Sequence, residues 1–256
     1  MHKLRFIFLW FFILSGYLAF SQQHEIDSVM HSLQNVKEDT SRIKTVDKFC
    51  KKLNFRGKYD KADSLAHIEL AMAQRINYKE GVVASLCTMG ESAVDKGEYA
   101  KANDLFTKAL EVSKDISDKK WEASAYNLLG SVYEVQGNYS KAIELYYNAL
   151  RIDEALKNPD GIAGSYNNLG RIYDDSHNSQ QALESYNKAL DLYTSLKDTL
   201  KVATVLNNIA IIYDEQQKFS EAMQEFIKAL NIYRKLGQKQ GEAMAINNIG
   251  SIYYYT

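Results

Sequence analysis

The fold is decided by residues 127–149, which read NLLGSVYEVQGNYSKAIELYYNA. Residues 167–189 repeat that stretch as NNLGRIYDDSHNSQQALESYNKA. Asparagine, glycine, tyrosine and alanine return at the same places in both stretches, while the residues between them change. Self-similarity at a period of about 20 to 50 residues is the signature of a protein built from stacked structural repeats. The sequence therefore predicts a repeat array.

The same columns continue outward on both sides of this stretch. Small residues occupy one column, at Gly90, Gly130, Gly170, Ala210 and Gly250. Tyrosine occupies another, at Tyr133, Tyr173, Tyr213 and Tyr253. Alanine occupies a third, at Ala62, Ala102, Ala142, Ala182 and Ala222. So many columns in one register cannot reasonably arise by chance.

Apolar residues within each repeat follow a helical spacing. Leu145, Tyr146 and Ala149 lie one and then three positions apart, as residues on one face of a helix do. A turn signal at Gly137 precedes this segment. Each repeat therefore reads as two helices joined by a tight turn. Gly130 marks where the helices approach closely, and Tyr146 is the bulky residue that fills the space beside it.

This pattern resembles the tetratricopeptide repeat family. The family motif is a glycine, a tyrosine three residues later, an alanine at twelve, an aromatic residue at sixteen and an alanine at nineteen. It is matched here by Gly130, Tyr133, Ala142, Tyr146 and Ala149. The period, about 40 residues, is similar to that of the longer-helix branch that includes kinesin light chains. The resemblance implies an all-α fold, a right-handed α-α superhelix of about five helix pairs plus a terminal half repeat.

The chain then divides into three parts. We predict a signal peptide at residues 1–21, a helical lead-in at 22–40 and the repeat array at 41–256. The repeats of the array fall at about 41–78, 79–118, 119–158, 159–198 and 199–238, with a half repeat at 239–256.

Residues 1–21 contain the three parts of a secretory signal peptide. Two basic residues, Lys3 and Arg5, precede the apolar run at 6–14, and a small-x-small exit ends at Ser21. The alternative is a retained signal anchor, although the apolar stretch is shorter than the ~20 residues that a spanning helix needs. We expect the protein to be exported, periplasmic or extracellular. The alternative is a membrane-tethered protein with this region outside the cytoplasm.

Export would place Cys50 and Cys87 in a compartment where disulfides form. The sequence leaves two alternatives open: a bond between them, or two small buried thiols.

Composition limits the function classes. A net charge of −1 supplies no excess of lysine and arginine, so nucleic acid is not expected as a partner. The sequence contains no glycine-rich phosphate loop and no nucleophile elbow. Its acidic residues recur with the period of the repeats, as surface residues of a repeat array do. We therefore predict a protein that is not an enzyme and has no catalytic residues, cofactor or metal.

Two polar columns predict a binding surface. Asparagine is less favourable than most residues in the interior of a helix, so its recurrence in the first helices of the repeats requires an explanation. These asparagines are Asn127, Asn167, Asn168, Asn207, Asn208, Asn247 and Asn248. About two helical turns further along lie the acidic residues Glu134, Asp174, Asp175, Asp214 and Glu215.

The resemblance gives these columns a role. In the family such positions commonly face the concave groove, and in the longer-repeat branch they hydrogen-bond the backbone of a bound peptide. It therefore implies a groove for an extended peptide or protein segment, with basic side chains on the ligand preferred. The alternative is that the asparagines bond neighbouring helices and bind nothing.

The C-terminal residues of the sequence bear on which function is expected. A sixth repeat begins at Gln240 and stops at Thr256 without a second helix, which leaves aromatic residues uncovered. We expect a fragment of a longer chain, and the alternative is that this helix is the cap. A homodimer through this helix is a further expectation, and membrane contact is expected only through the leader or a segment beyond Thr256.

The function predicted from these features is a non-catalytic protein–protein interaction scaffold that binds an extended segment in its groove. The alternative is the extracytoplasmic sensory part of a longer bacterial signalling protein, such as a histidine kinase, a cyclase or a transcriptional regulator.

Overall fold

The computed structural model describes residues 39–255. The predicted signal peptide and all but the last two residues of the predicted lead-in lie outside the described residues. Within them the chain forms eleven α-helices and no strand, which confirms the all-α prediction. No helix among them is both long enough and apolar enough to cross a bilayer.

The chain divides into two compact units at residues 117 and 118. The N-terminal unit contains α1 (Thr40–Phe55), α2 (Tyr59–Arg75), α3 (Lys79–Asp95) and α4 (Tyr99–Asp115). The C-terminal unit contains α5 (Lys119–Val135), α6 (Tyr139–Ala155), α7 (Pro159–Asp175), α8 (Ser179–Ser195), α9 (Thr199–Glu215), α10 (Phe219–Lys235) and α11 (Lys239–Tyr255).

The turns between helices recur at a constant interval along the chain. Each contains one residue with a positive φ: Gly57, Asn77, Gly97, Ser117, Gly137, Lys157, His177, Lys197, Gln217 and Gly237. At Gly137, φ is 75°, and the next amide, Asn138 N–H, donates to the Tyr133 carbonyl at 2.8 Å to close α5. His177 and Gln217 adopt the same conformation, with φ of 59° and 58°, although they lack the freedom of glycine. These two turns therefore lack the glycine that marks the turn at Gly137.

In the C-terminal unit, each helix packs against the next one along the chain. The first helices of the repeats (α5, α7, α9 and α11) also contact one another, whereas the second helices (α6, α8 and α10), within residues 118–255, do not. In a curved stack of helix pairs, the helices on the inner side come closer together. The first helices are therefore the inner helices of this unit.

Close contacts between glycine and an aromatic ring set the packing of each pair. A Cβ on Gly130 would lie 2.5 Å from Cε1 of Tyr146, and one on Gly170 would lie 2.5 Å from Cδ1 of Tyr186. Both tyrosines are buried, with 0% and 1% of their surface exposed. The glycine column thus exists because rings of the second helix lie directly on the backbone of the first, as the sequence predicted.

The N-terminal unit buries an unusual polar cluster. Cys50 and Cys87 are both buried and free, and burial raises the pKa of each thiol. The Cys50 thiol donates to Oε2 of Glu69 at 3.7 Å, and Glu69 is completely buried. Burial, and next the charge of Asp47, raise the pKa of Glu69 to about 8.

Candidate functional site

The predicted asparagines lie on the inner helices of the C-terminal unit, where two amide pairs link neighbouring helices. Asn168 Nδ2 donates to Asn127 Oδ1 at 3.4 Å, which joins α7 to α5. Asn248 Nδ2 donates to Asn207 Oδ1 at 3.3 Å, which joins α11 to α9. Part of the asparagine row therefore holds the stack together.

Asn167 departs from this arrangement. Its counterparts Asn127 and Asn207 both accept an amide hydrogen bond through Oδ1. The Oδ1 of Asn167 is buried and has no hydrogen-bond partner among the described residues. Asn208 is half-buried, and Asn247 on the last helix is exposed. Because buried polar atoms are nearly always paired, the Asn167 oxygen is an exception in this row, an acceptor whose hydrogen bond is not made within the described residues.

Glu134 is held by two neighbours inside the stack. It is 8% exposed, and the hydroxyl of Tyr146 donates to its Oε2. Arg171 on α7 donates to both carboxylate oxygens, through Nε to Oε1 and through Nη2 to Oε2, the latter at 2.9 Å. This bidentate ion pair offsets part of the negative charge of Glu134. Its contacts tie α5, α6 and α7 together.

The other predicted acidic residues lie close enough to repel one another. Burial, followed by the charge of Glu215, raises the pKa of Asp174 to about 6. Burial and the charge of Glu134 likewise raise the pKa of Asp175. The Oδ1 of Asp174 is buried and lacks a hydrogen-bond partner within the described part of the chain. Asp214 is half-buried and Glu215 exposed, so the C-terminal ends of α7 and α9 form an anionic surface.

Two features of the C-terminal unit were not predicted from the sequence. The first is the bridge from Arg171 to Glu134, which joins residues 37 positions apart. The second is a polar cavity at Asp153, described below. The cavity had a signal in the sequence, because Asp153 stands in a column that holds Tyr193 and Tyr233 in the next two repeats. Across residues 39–255, no group of three or more potential metal ligands comes together.

Two family models for the tetratricopeptide repeat match the chain, one over residues 121–195 and the other over residues 202–236. Proteins of this family are generally non-catalytic scaffolds for protein–protein interaction. A comparison with curated proteins finds no match.

Several solved structures have a similar fold. BtubC (BKLC) from P. vanneervenii is 24% identical with a TM-score of 0.67, and the match covers 77% of this chain and 83% of that one. A Rap protein complexed with competence and sporulation factor is 16% identical with a TM-score of 0.65, and the match covers 94% and 73%. A signal-transduction ATPase with a tetratricopeptide repeat sensor, from Pyrococcus horikoshii, is 16% identical with a TM-score of 0.61, and the match covers 91% and 39%. At these sequence identities, the structural similarity shows that this chain has the same fold as these proteins.

Proposed function

Since this chain is a tetratricopeptide repeat protein, we propose that it is a non-catalytic scaffold whose inner helices bind an extended peptide or a segment of a partner protein. The observation that carries the proposal is the unpaired Oδ1 of Asn167, in the middle of an inner helix. An extended peptide presents backbone N–H groups, which are the donors that an asparagine oxygen accepts. Asn167 is therefore the centre of the proposed binding surface.

Two further observations support this proposal. The anionic ends of α7 and α9 favour a ligand with basic side chains, since Asp174 and Glu215 repel each other until a cation lies between or beside them. The Rap protein of similar fold was solved as a complex with competence and sporulation factor, so an array of this fold can hold a ligand.

The proposal is tested by selecting ligands from a displayed library of random peptides and titrating the selected peptides calorimetrically. The Asn167→Ala variant should bind them at least about ten-fold more weakly, because it removes a hydrogen bond in a desolvated setting. The matched control is Asn187→Ala, which removes an exposed asparagine on the second helix α8. Selected peptides that bind both variants equally well would overturn the role of Asn167, and a selection that enriches no peptide would overturn the function.

Export belongs to the same proposal and rests on the pattern of Lys3, Arg5 and the apolar run at 6–14. N-terminal sequencing of the protein from its native cells should then start at Gln22. A first residue of Met1 would contradict cleavage.

A second candidate is the sensory part of a longer signalling protein. It is favoured by the structural likeness to the ATPase from Pyrococcus horikoshii, which has a tetratricopeptide repeat sensor. Reading the gene beyond the codon for Thr256 tests it, since an apolar run of about 20 residues followed by an output domain is expected. An immediate stop codon would contradict it.

A further inference from the structure

A polar cavity of about 390 Å³ opens in the C-terminal unit where α5, the end of α6 and the start of α7 meet. Its wall contains three acidic residues and one basic residue, and it also contains an indole and an amide: Asp118, Asp153, Asp160, Lys120, Trp121 and Asn127. Asp153 is 3% exposed, which is rare for a carboxylate. The cavity thus combines an indole, an amide and a buried acid.

The cavity lies where Asp153 stands at the position that tyrosine occupies in the next two repeats. The equivalent residues of the next two repeats, Tyr193 and Tyr233, are buried, with 5% and 3% of their surface exposed. A Cβ on Gly241 would lie 2.5 Å from the ring of Tyr233, so that ring packs on the backbone of the following inner helix. A carboxylate is much smaller than a phenol ring. The space that tyrosine occupies in two repeats is left partly open in this one.

Two neighbours fix the carboxylate of Asp153 at the wall of the cavity. A Cβ on Gly161 would lie 2.3 Å from its Cγ, so only glycine at this position admits it. Asn158 Nδ2 donates to its Oδ1 at 2.8 Å. The side chain is therefore oriented before any ligand binds.

The carboxylate also lacks a directly paired counter-ion. Within the described part of the chain, no basic side chain forms an ion pair with Asp153. Burial raises its pKa, the Asn158 hydrogen bond lowers it, the charge of Asp160 raises it, and the charge of Lys120, the weakest of the four effects, lowers it. A buried carboxylate without a paired opposite charge destabilises the folded protein. A cation bound inside the cavity would offset that destabilisation.

We propose that this cavity binds a cationic side chain, arginine or lysine, of the peptide that lies on the inner helices. This inference rests on the proposed function and names one anchor of its ligand. Asp153 would pair with the cation, and the indole of Trp121 would supply an aromatic wall, which favours organic cations. Asn127 lines the cavity and lies on α5, the inner helix next to the α7 helix of Asn167, so the proposed peptide would run from one inner helix to the next.

Trp121 provides the readout for a direct test. The chain has two tryptophans, Trp10 and Trp121, so Trp121 is the only indole in the full-length Trp10→Phe protein. This protein is titrated with N-acetyl-arginine amide and with N-acetyl-citrulline amide, which has nearly the same shape without the charge. We expect a saturable change in emission with the arginine probe and an apparent affinity at least about ten-fold lower with citrulline. Equal responses to the two probes would overturn the proposal.

Two variants assign the response to Asp153. Asp153→Asn keeps the shape and removes the charge, and Asp153→Tyr fills the cavity in the way that Tyr193 and Tyr233 do. In both variants the apparent affinity for the arginine probe should fall by about ten-fold or more. Asp153→Tyr should fold because its repeat then matches the two repeats that follow it. The control Asp191→Asn removes an exposed charge on α8 and should leave the titration unchanged. An unchanged response in either Asp153 variant would contradict the assignment.

The two proposals fail in distinguishable ways. A single capped amino acid cannot span the asparagine row, so its binding reports on the cavity alone. Selected peptides that depend on Asn167 and bind Asp153→Asn with full affinity would overturn the cavity proposal and leave the proposed function standing. An arginine response at Trp121 without any selected peptide would overturn the proposed function and leave the cavity as a cation site.

Discussion

Gly130 on α5 and Tyr146 on α6 are in direct contact, with the tyrosine ring lying on the glycine backbone. A Cβ at Gly130 would approach Cε1 of Tyr146 to 2.5 Å, well inside the separation of about 3.5 Å at which carbon atoms pack. Tyr146 is fully buried among residues that include Ala142 and Leu169, so it has no room to withdraw. This contact decides how closely the two helices of the pair approach.

The first prediction tests that contact. Gly130→Ala should lower the free energy of unfolding by about 1–3 kcal/mol, because the added methyl group overpacks the ring of Tyr146. Gly250→Ala is a matched control in the same column, since a Cβ there meets nothing within 4 Å. The control should raise stability by up to about 1 kcal/mol through helix propensity. Urea denaturation measures both, and equal effects would contradict the packing described here.

The second prediction concerns the ion pair between Glu134 and Arg171. Glu134→Ala should lower the free energy of unfolding by about 1–3 kcal/mol, since it leaves the buried Tyr146 hydroxyl without an acceptor for its proton. Arg171 keeps 44% of its side chain exposed, so water compensates part of its loss. Breaking the exposed pair of Asp104 and Lys108 by Asp104→Ala should cost no more than about 0.5 kcal/mol. A Glu134→Ala protein as stable as the Asp104→Ala protein would refute a structural role.

The third prediction separates the asparagines that hold the stack from Asn167, the one that we propose contacts a ligand. Asn207 is 1% exposed and accepts from Asn248, so Asn207→Ala should cost about 1 kcal/mol of stability by leaving a donor unpaired. Asn167→Ala removes an oxygen without a partner and should cost less. Thermal unfolding of the two variants compares them. A larger loss for Asn167→Ala would show that Asn167 serves the stack.

The fourth prediction is a pH dependence from Glu69 in the N-terminal unit. Its pKa is raised from 4.5 to about 8 in the folded protein. Between these pH values the folded state keeps a proton that the unfolded state has released, so the contribution of Glu69 to stability falls as pH rises through this window. Below pH 4.5 and above pH 8 that contribution is constant. Glu69→Gln should therefore gain stability relative to wild type between pH 5 and pH 8, by denaturation at each pH.

A control accompanies the pH series. Glu111→Gln removes an exposed carboxylate on α4 of the same unit. The free energy of unfolding of this variant should change with pH in the same way as that of the wild type. A Glu69→Gln protein that also runs parallel to wild type would show that Glu69 is ionised in the fold.

The helix pairs were predictable because their signals are local and repeated. The turn at Gly137 and the contact of Gly130 with Tyr146 lie within one repeat, and each recurs at the same place in the next repeat. A packing contact that recurs at the same position of successive repeats can be predicted from the sequence, because the residues that form it recur at the same interval.

The remaining features depend on a single residue or on contacts between repeats. Arg171 reaches Glu134 only because α7 packs beside α5, and the equivalent of Arg171 in the next repeat is Ile211. The difference between Asn167 and Asn207 is likewise invisible in the sequence, because both stand in the same column. It lies in which of the two oxygens has a hydrogen-bond partner, and only coordinates show this.

The central claim is that a peptide lies on the inner helices across Asn167. The most direct measurement is a nuclear magnetic resonance titration of protein labelled with ¹⁵N at asparagine, with a selected peptide as ligand. Our account predicts that the side-chain amide signals of Asn167 and Asn168 shift to saturation, while that of Asn187 on α8 stays in place. Saturable shifts at Asn187 with the Asn167 signal unmoved would place the ligand on the second helices and contradict the account.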